Sequence, residues 1–298
     1  MPLPTLHDFS RQLLVVLCAL SLPILTACTE NQEWTFALDE CGRTCGAGPL
    51  FLFDQLEFIV EDEEGLDGFD LDGVLEDCET PDGTAPDGRG GIDNQFGAVW
   101  DVLPDTVATV LPNAIKTSLE SGTMMVVMEL VGSSNLTQEG AAALVLREGA
   151  GDLLVSSEGR PLGGQTVDLA SGDNLLGYSD QAWISDHQLE AEDLSMIFRL
   201  RYLDTDVELA IVGGRATISE DDEGGVDMKL GGVVPVDSVM QIVAGLGGSG
   251  DANLAAALEA LIPLLVDSRT RSDGACDGIS GAFSGHAVPV HLFELGDQ

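Results

Sequence analysis

Basic residues are scarce in this sequence. Its 298 residues include 12 Lys and Arg against 51 Asp and Glu, which gives a formal net charge of −39 at pH 7. A surface with this charge repels nucleic-acid phosphates and anionic lipid surfaces, so we expect no nucleic-acid partner. It attracts divalent cations or basic patches on other proteins, although an acidic coat also serves solubility or growth in salt water. Both explanations of the charge remain open.

Histidines and catalytic motifs are scarce as well. Three of the four histidines lie beyond the first 27 residues, namely His187, His286 and His291. Neither G-x-S-x-G nor H-E-x-x-H occurs, and the stretch 281–286 (GAFSGH) lacks the spacing of a nucleophile elbow. The G-x-G-x-x-G pattern at 245–250 joins two predicted helices and therefore predicts a flexible turn rather than a dinucleotide loop. We expect a non-enzymatic protein; the alternative is a hydrolase with an unrecognised Ser/His/acid or His–metal site.

The sequence has one long apolar run, at residues 13–25. It is too short to span a bilayer and is typical of the apolar part of an export signal. The run ends in Leu25-Thr26-Ala27-Cys28, which resembles the lipobox of bacterial lipoproteins. The resemblance implies a signal peptide at 1–27, acylation of Cys28 and stable anchoring by several acyl chains.

The same resemblance also implies to which membrane the protein is sorted and which class of lipoprotein it is similar to. Thr29, rather than Asp, follows Cys28, and this resembles lipoproteins sorted to the outer membrane of the cell envelope. The chain as a whole, with its Asp-Gly insertion that is similar to a calcium loop, resembles large lipoproteins of Gram-negative bacteria of the myxobacterial type. The implied partner is the membrane, through the lipid, on its periplasmic or its outer face.

Strand-like and helix-like patterns occur in separate groups along the remaining chain. Residues 50–60, 124–130 and 195–217 favour strands, the last by alternation of apolar and polar side chains, and 215–230 favours a hairpin. Helical spacing predicts helices at 104–119, 237–244 and 251–266. We therefore predict an α+β fold: an antiparallel β-sheet, sandwich-like or partly curled, with helices packed against it. A short tether, 28–33, precedes a single domain, 34–298, with a long acidic loop, 61–94.

This acidic segment (residues 61–94) is the best candidate for a site. Thirteen of the 33 residues from Glu61 to Asp93 are acidic, and four Asp-Gly pairs occur. Calcium prefers closely spaced oxygen ligands with Gly at sharp turns, so the segment predicts a structural calcium site; a plain solvated loop is the alternative. It resembles EF-hand-type loops in general, without flanking helices and with Gly68 at the first ligand position. The candidate ligands are Asp67, Asp70, Asp72, Glu76, Glu79, Asp82, Asp87, Asp93 and Asn94.

A second acidic group, Glu220–Glu223 with Asp227, falls at a predicted hairpin turn. A solvated turn is the preferred interpretation, and a second cation site is the alternative.

Four cysteines remain after Cys18 and Cys28 are assigned to the signal and the lipid: Cys41, Cys45, Cys78 and Cys276. An even number in an exported chain predicts two disulfides with three possible connectivities. We favour Cys41–Cys45 and Cys78–Cys276. A zinc site is the rival interpretation, but only Cys41 and Cys45 have ligand-like spacing.

Overall fold

The computed structural model describes residues 48–293 except 74, 75, 79, 103, 104, 173, 203, 204, 250, 251 and 271–274. The predicted signal peptide, the predicted tether, Cys28 and the predicted Cys41–Cys45 disulfide therefore lie outside the described residues. The strands are β1 Leu50–Phe58, β2 Glu76–Asp77, β3 Thr80–Pro81, β4 Gly83–Thr84, β5 Gly90–Ile92, β6 Val126–Val131, β7 Gly140–Ala150, β8 Thr166–Leu169, β9 Leu175–Ser185, β10 Gln188–Tyr202, β11 Thr205–Glu220, β12 Val226–Pro235, β13 Gly278–Pro289 and β14 His291–Leu292. The helices are α1 Gln95–Ala98, α2 Asp105–Glu120, α3 Val236–Ser249 and α4 Ala252–Leu265, and Trp100–Val102 forms a 3₁₀ turn.

Eight antiparallel strands form a closed ring. Their order around it is β7, β6, β1, β13, β12, β11, β10 and β9, and the ring closes because β9 pairs with β7 as well as with β10. The far end of β7 pairs with β8, and β14 then adds to β8 in parallel. The architecture is thus a β-barrel with one short extension of its wall.

The predicted fold class was wrong on this point. The chain is mostly β, with 50% strand and 16% helix, and its sheet is a closed barrel rather than a sandwich-like or partly curled sheet with helices packed against it. The alternation of side chains shows which residues share a face, but it does not show that the first and last strands of a sheet meet. The closing pair, β7 with β9, joins strands that are separated by β8 in the sequence.

Facing bulges in β10 and β11 supply the physical reason for closure. In β10 the inward set changes from Leu189 and Ala191 to Leu194 and Met196, across a break in register. In β11 the inward set likewise changes between Ile211 and Ala216, across a break in register. Bulges bend a strand and increase its twist, which favours closure of a sheet on itself. Each bulge shifts the alternation of inward and outward side chains by one residue, so side chains from both ends of these long strands contribute to one core.

The barrel interior is a packed apolar core. Its largest members include Phe53, Met128, Leu144 and Phe198, each at most 2% exposed. Ile115 and Leu119 of α2 belong to the same core cluster. Helix α2 contacts β1 and β10, which lie on opposite sides of the ring, so it extends across one end of the barrel.

The helices match the predicted positions with one difference. Helix α2 covers the predicted helix at 104–119, and Pro112 lies inside it. Helix α3 continues to Ser249, so the glycines at 245–248 lie in its last turns instead of in the predicted connecting turn. In the described part of the chain, no helix has both the length and the apolar character needed to cross a membrane.

Candidate functional site

Asn94 fixes the end of the acidic segment to the barrel wall. Its Nδ2 donates to the carbonyl oxygens of Ile59 and Asp67, each at 3.0 Å. Its Oδ1 accepts from the backbone N–H of Gly97 at 3.1 Å and of Ala282 at 3.2 Å. These four bonds use both donors and both acceptor positions of the amide. Asn94, a candidate calcium ligand by sequence, is therefore committed to holding backbone groups from four parts of the chain.

The acidic segment has a small core and a contact on the outer wall. Leu66, Ala85 and Ile92 form a separate buried apolar cluster within it. Phe69 lies against β12, where a Cβ on Gly231 would come within 2.5 Å of the Phe69 ring. Only a residue without a side chain allows the ring to approach the strand so closely. The segment is thus folded over the barrel wall.

Three of the candidate ligands converge in this segment. Asp70, Asp72 and Asp93 each have a carboxylate oxygen within 4.8 Å of the other two. Asp70 and Asp72 are exposed, whereas Asp93 is only 5% exposed. The N–H of Leu71 donates to Asp93 Oδ2 at 2.5 Å, and the N–H of Gly73 donates to Asp70 Oδ1 at 2.6 Å. We call these three residues the carboxylate cluster.

Burial raises the pKa of Asp93 to about 7, against the hydrogen bond from Leu71, which lowers it. The negative charges of Asp72, Asp82 and Asp267 raise it further. Burial and neighbouring carboxylates disfavour the ionised form of a carboxyl group unless a cation is present. The cluster therefore has the electrostatic character that a bound cation would relieve.

The other candidate ligands have different neighbours. Asp67 pairs with Lys229 Nζ at 2.6 Å, and Asp87 pairs with Arg89 Nε at 2.8 Å. Glu76 lies in the two-residue strand β2, and Asp82 acts on the cluster through its charge on Asp93. Glu79 lies outside the described residues.

The predicted Cys78–Cys276 disulfide is confirmed. The two residues form a disulfide across a sequence separation of 198. It joins the acidic segment just after β2 to the chain just before β13. The acidic segment is therefore held covalently at Cys78 and by hydrogen bonds at Asn94.

A second constellation, which sequence reasoning missed, surrounds His286 on β13. Its Nδ1 lies 2.6 Å from Asp54 Oδ1 of β1, and its Nε2 lies 2.7 Å from Asp221 Oδ2 in the β11–β12 turn. Asp54 is 8% exposed, and Asp221 also accepts from the N–H groups of Glu223 and Gly225. We call Asp54, His286 and Asp221 the histidine cluster.

Two carboxylates control the charge of His286. Burial works against the charged ring, but the hydrogen bonds and charges of Asp221 and Asp54 outweigh it and raise the pKa of His286 above its usual value. The hydrogen bond from His286 in turn lowers the pKa of Asp221. The acidic hairpin noted in the sequence thus contributes Asp221 to a hydrogen-bonded cluster.

The histidine cluster differs in geometry from a Ser/His/acid site. Ser284 lies two residues from His286 and is exposed on the same face of β13. A catalytic histidine uses one ring nitrogen for the acid and the other for the nucleophile, whereas both nitrogens of His286 contact carboxylates. His187 follows β9 and His291 lies in β14, and among the described residues neither joins His286 in a group that could hold a metal.

The register places His187 well away from His286. Gln188, Ser219, Asp227 and His286 lie opposite one another across β10, β11, β12 and β13. Neighbouring strands are about 4.8 Å apart, so His187, next to Gln188, is separated from His286 by roughly 14 Å along the curved barrel wall.

No family model, no curated protein and no solved structure matches this chain.

Proposed function

We propose that the chain is an outer-membrane lipoprotein of the cell envelope, anchored through Cys28, that acts as a non-enzymatic structural or binding module. In this proposal the acidic segment is ordered by a calcium ion at the carboxylate cluster, and the membrane and calcium are its first partners. A basic protein surface is a further partner that the net charge of −39 favours. The observation that carries the calcium proposal is the buried carboxylate of Asp93 beside Asp70 and Asp72.

The chemistry of the three residues fits calcium. Calcium takes six to eight oxygen ligands, and carboxylates can contribute one or two each. The cluster combines the exposed Asp70 and Asp72, which an ion can reach from solvent, with the buried Asp93. Calcium is abundant outside the cytosol, where sites with a Kd of about 10⁻⁴ to 10⁻³ M are filled.

Calcium is expected to raise the thermal midpoint of the purified protein, and magnesium to raise it much less. At a tenfold excess over Kd, binding to the native state adds about 1.4 kcal/mol, which corresponds to about 3–6 °C for a domain of this size. The measurement is thermal unfolding at pH 8, where Asp93 is ionised, first with chelator and then with matched calcium or magnesium. Asp70→Asn with Asp72→Asn should abolish the calcium response.

A matched control removes two other charges from the same segment. Glu63→Gln with Glu64→Gln changes exposed residues outside the cluster and should retain the full calcium response. Loss of the response in both double variants would mean that total charge, rather than the cluster, governs binding. Equal midpoints in calcium and magnesium would leave the segment as a solvated loop.

Lipid attachment at Cys28 is tested separately in cells. Cys28→Ser should abolish incorporation of labelled palmitate and move the protein from the membrane fraction to the soluble fraction. Cys18→Ser, inside the proposed signal peptide, is the control and should leave both properties unchanged. Labelling that persists in Cys28→Ser would contradict the anchor.

A further inference from the structure

The strongest unexplained feature is an apolar cavity at the end of the barrel that α2 crosses. It has a volume of about 90 Å³ and lies between the barrel strands and side chains from all four helices. Its wall includes three aromatic rings and several aliphatic side chains, among them Phe58, Phe96, Phe283, Ile115, Leu200 and Ile262. We call it the barrel-end cavity.

The aromatic rings form one side of this cavity. The ring centroid of Phe58 lies 4.8 Å from that of Phe96 and 4.7 Å from that of Phe283, in tilted arrangements. Aromatic groups at such distances pack favourably with each other and with a further apolar ring. Phe58 and Phe283 come from the barrel, and Phe96 comes from α1, so barrel and helices build this wall together.

Ser280 is the single polar side chain among the described residues of the wall. Its hydroxyl donates to Asp267 Oδ2, and its oxygen accepts from the N–H of Gln95 at 2.8 Å. Asp267 also accepts from the N–H of Ser280 at 2.8 Å. The serine hydroxyl therefore has no hydrogen left to donate to a ligand, and its oxygen already accepts one bond.

The cavity is larger than the gaps that are usual in protein interiors. One water needs roughly 10–15 Å³ of such volume and several polar partners, and this cavity is several times larger and apolar. The space exists partly because β13 has a glycine in the wall. A Cβ on Gly281 would have Phe96 Cβ, at 3.8 Å, as its nearest neighbour, so a larger side chain there would extend into open space.

We infer that the barrel-end cavity is a binding site for a compact, uncharged, apolar molecule about the size of one ring. Ligand sites are mostly apolar and occur in the mouths of barrels, and an apolar cavity without polar partners takes up hydrocarbons rather than water. The barrel-end cavity is apolar, whereas the carboxylate cluster is charged, and binding in the cavity does not depend on calcium.

Toluene is the probe that tests this inference, with phenol as its polar counterpart. Calorimetric titration of the purified protein with toluene should show one saturable site, and toluene should raise the thermal midpoint. Phenol should bind about tenfold more weakly, because its hydroxyl would lose its water on entering a wall in which Ser280 is the one polar side chain among the described residues.

Gly281→Leu should abolish toluene binding by filling the cavity from the barrel side. Val239→Phe, which fills it from α3, is the second variant and covers the case in which Gly281→Leu does not fold. Ala141→Leu adds an apolar side chain at an exposed position of β7 and should bind toluene as the parent does. Absence of toluene binding by the parent, or undiminished binding by a folded cavity-filling variant, would overturn the inference.

Discussion

Cys78→Ala combined with Cys276→Ala is expected to lower the free energy of unfolding by roughly 5 kcal/mol. The disulfide closes a loop across 198 positions, and the entropy that a crosslink removes from the unfolded chain grows with the logarithm of the loop length. Urea unfolding of the oxidised parent and of the double variant measures the loss. Because small domains are only marginally stable, this loss would remove a large part of the total.

Cys41→Ala with Cys45→Ala is the matched control for that experiment. It removes the same number of cysteines, but a crosslink between these residues closes only a very short loop and would contribute about 2 kcal/mol at most. Equal losses in the two double variants would mean that loop length does not determine the effect. A long-loop variant as stable as the parent would contradict a structural role for the Cys78–Cys276 disulfide.

His286→Leu is expected to lower the free energy of unfolding by roughly 3–5 kcal/mol at pH 6. The variant leaves Asp54, which is 8% exposed, without its charged partner in a desolvated place. Removing one member of a buried ion pair costs more than removing both, because an unpaired buried charge remains. Asp54→Leu with His286→Leu should therefore be more stable than His286→Leu alone. His291→Leu, at an exposed position of β14, is the control and should change little.

The pH dependence of stability provides an independent readout of the histidine cluster. The folded-state pKa of His286 is raised above the unfolded value of about 6.5, so His286 binds its proton more tightly in the folded protein than in the unfolded chain. Its contribution is fully present below pH 6.5 and is lost as the pH rises through the folded pKa. The parent should therefore lose stability above pH 6.5, and His286→Leu should not lose it.

The contribution of Asp93 to stability also falls as the pH rises, but over a lower pH range. Its pKa is raised from about 3.9 in the unfolded chain to about 7, so its contribution is present below pH 4 and is lost by pH 7. Both proteins contain Asp93, so the difference between parent and His286→Leu from pH 6.5 upward isolates the histidine. Identical pH profiles of the two proteins there would remove the charged histidine from the explanation of stability.

Local patterns in the sequence predicted individual elements well. The spacing of apolar residues located α2 and α4, and alternation located β10, where Met196, Phe198 and Leu200 face the core as expected. These signals depend on a repeat of side chains along one element, which the sequence displays directly. Bulges interrupt that repeat without a strong signature, so the curvature that closes the barrel could not be predicted from it.

The sites show the same division between local and distant information. The density of Asp and Gly located the acidic segment, but not which three carboxylates would converge or that Asn94 would bind backbone groups. His286 lies 232 positions from Asp54 and 65 from Asp221, so only the pairing of β1, β12 and β13 brings the three together. Contacts between residues so far apart depend on register, and register follows from the whole fold.

Closure of the ring also governs how copies of this protein can meet. A strand at a free sheet edge offers unpaired backbone groups that can recruit a strand from another molecule and start aggregation. In the described residues, every strand of the barrel has a neighbour on both sides, and the sheet beyond the ring ends in β14, only two residues long. Intact molecules therefore offer little template for strand exchange, and aggregation would have to begin with opening of a seam, of which β1–β6 has the shortest pairing.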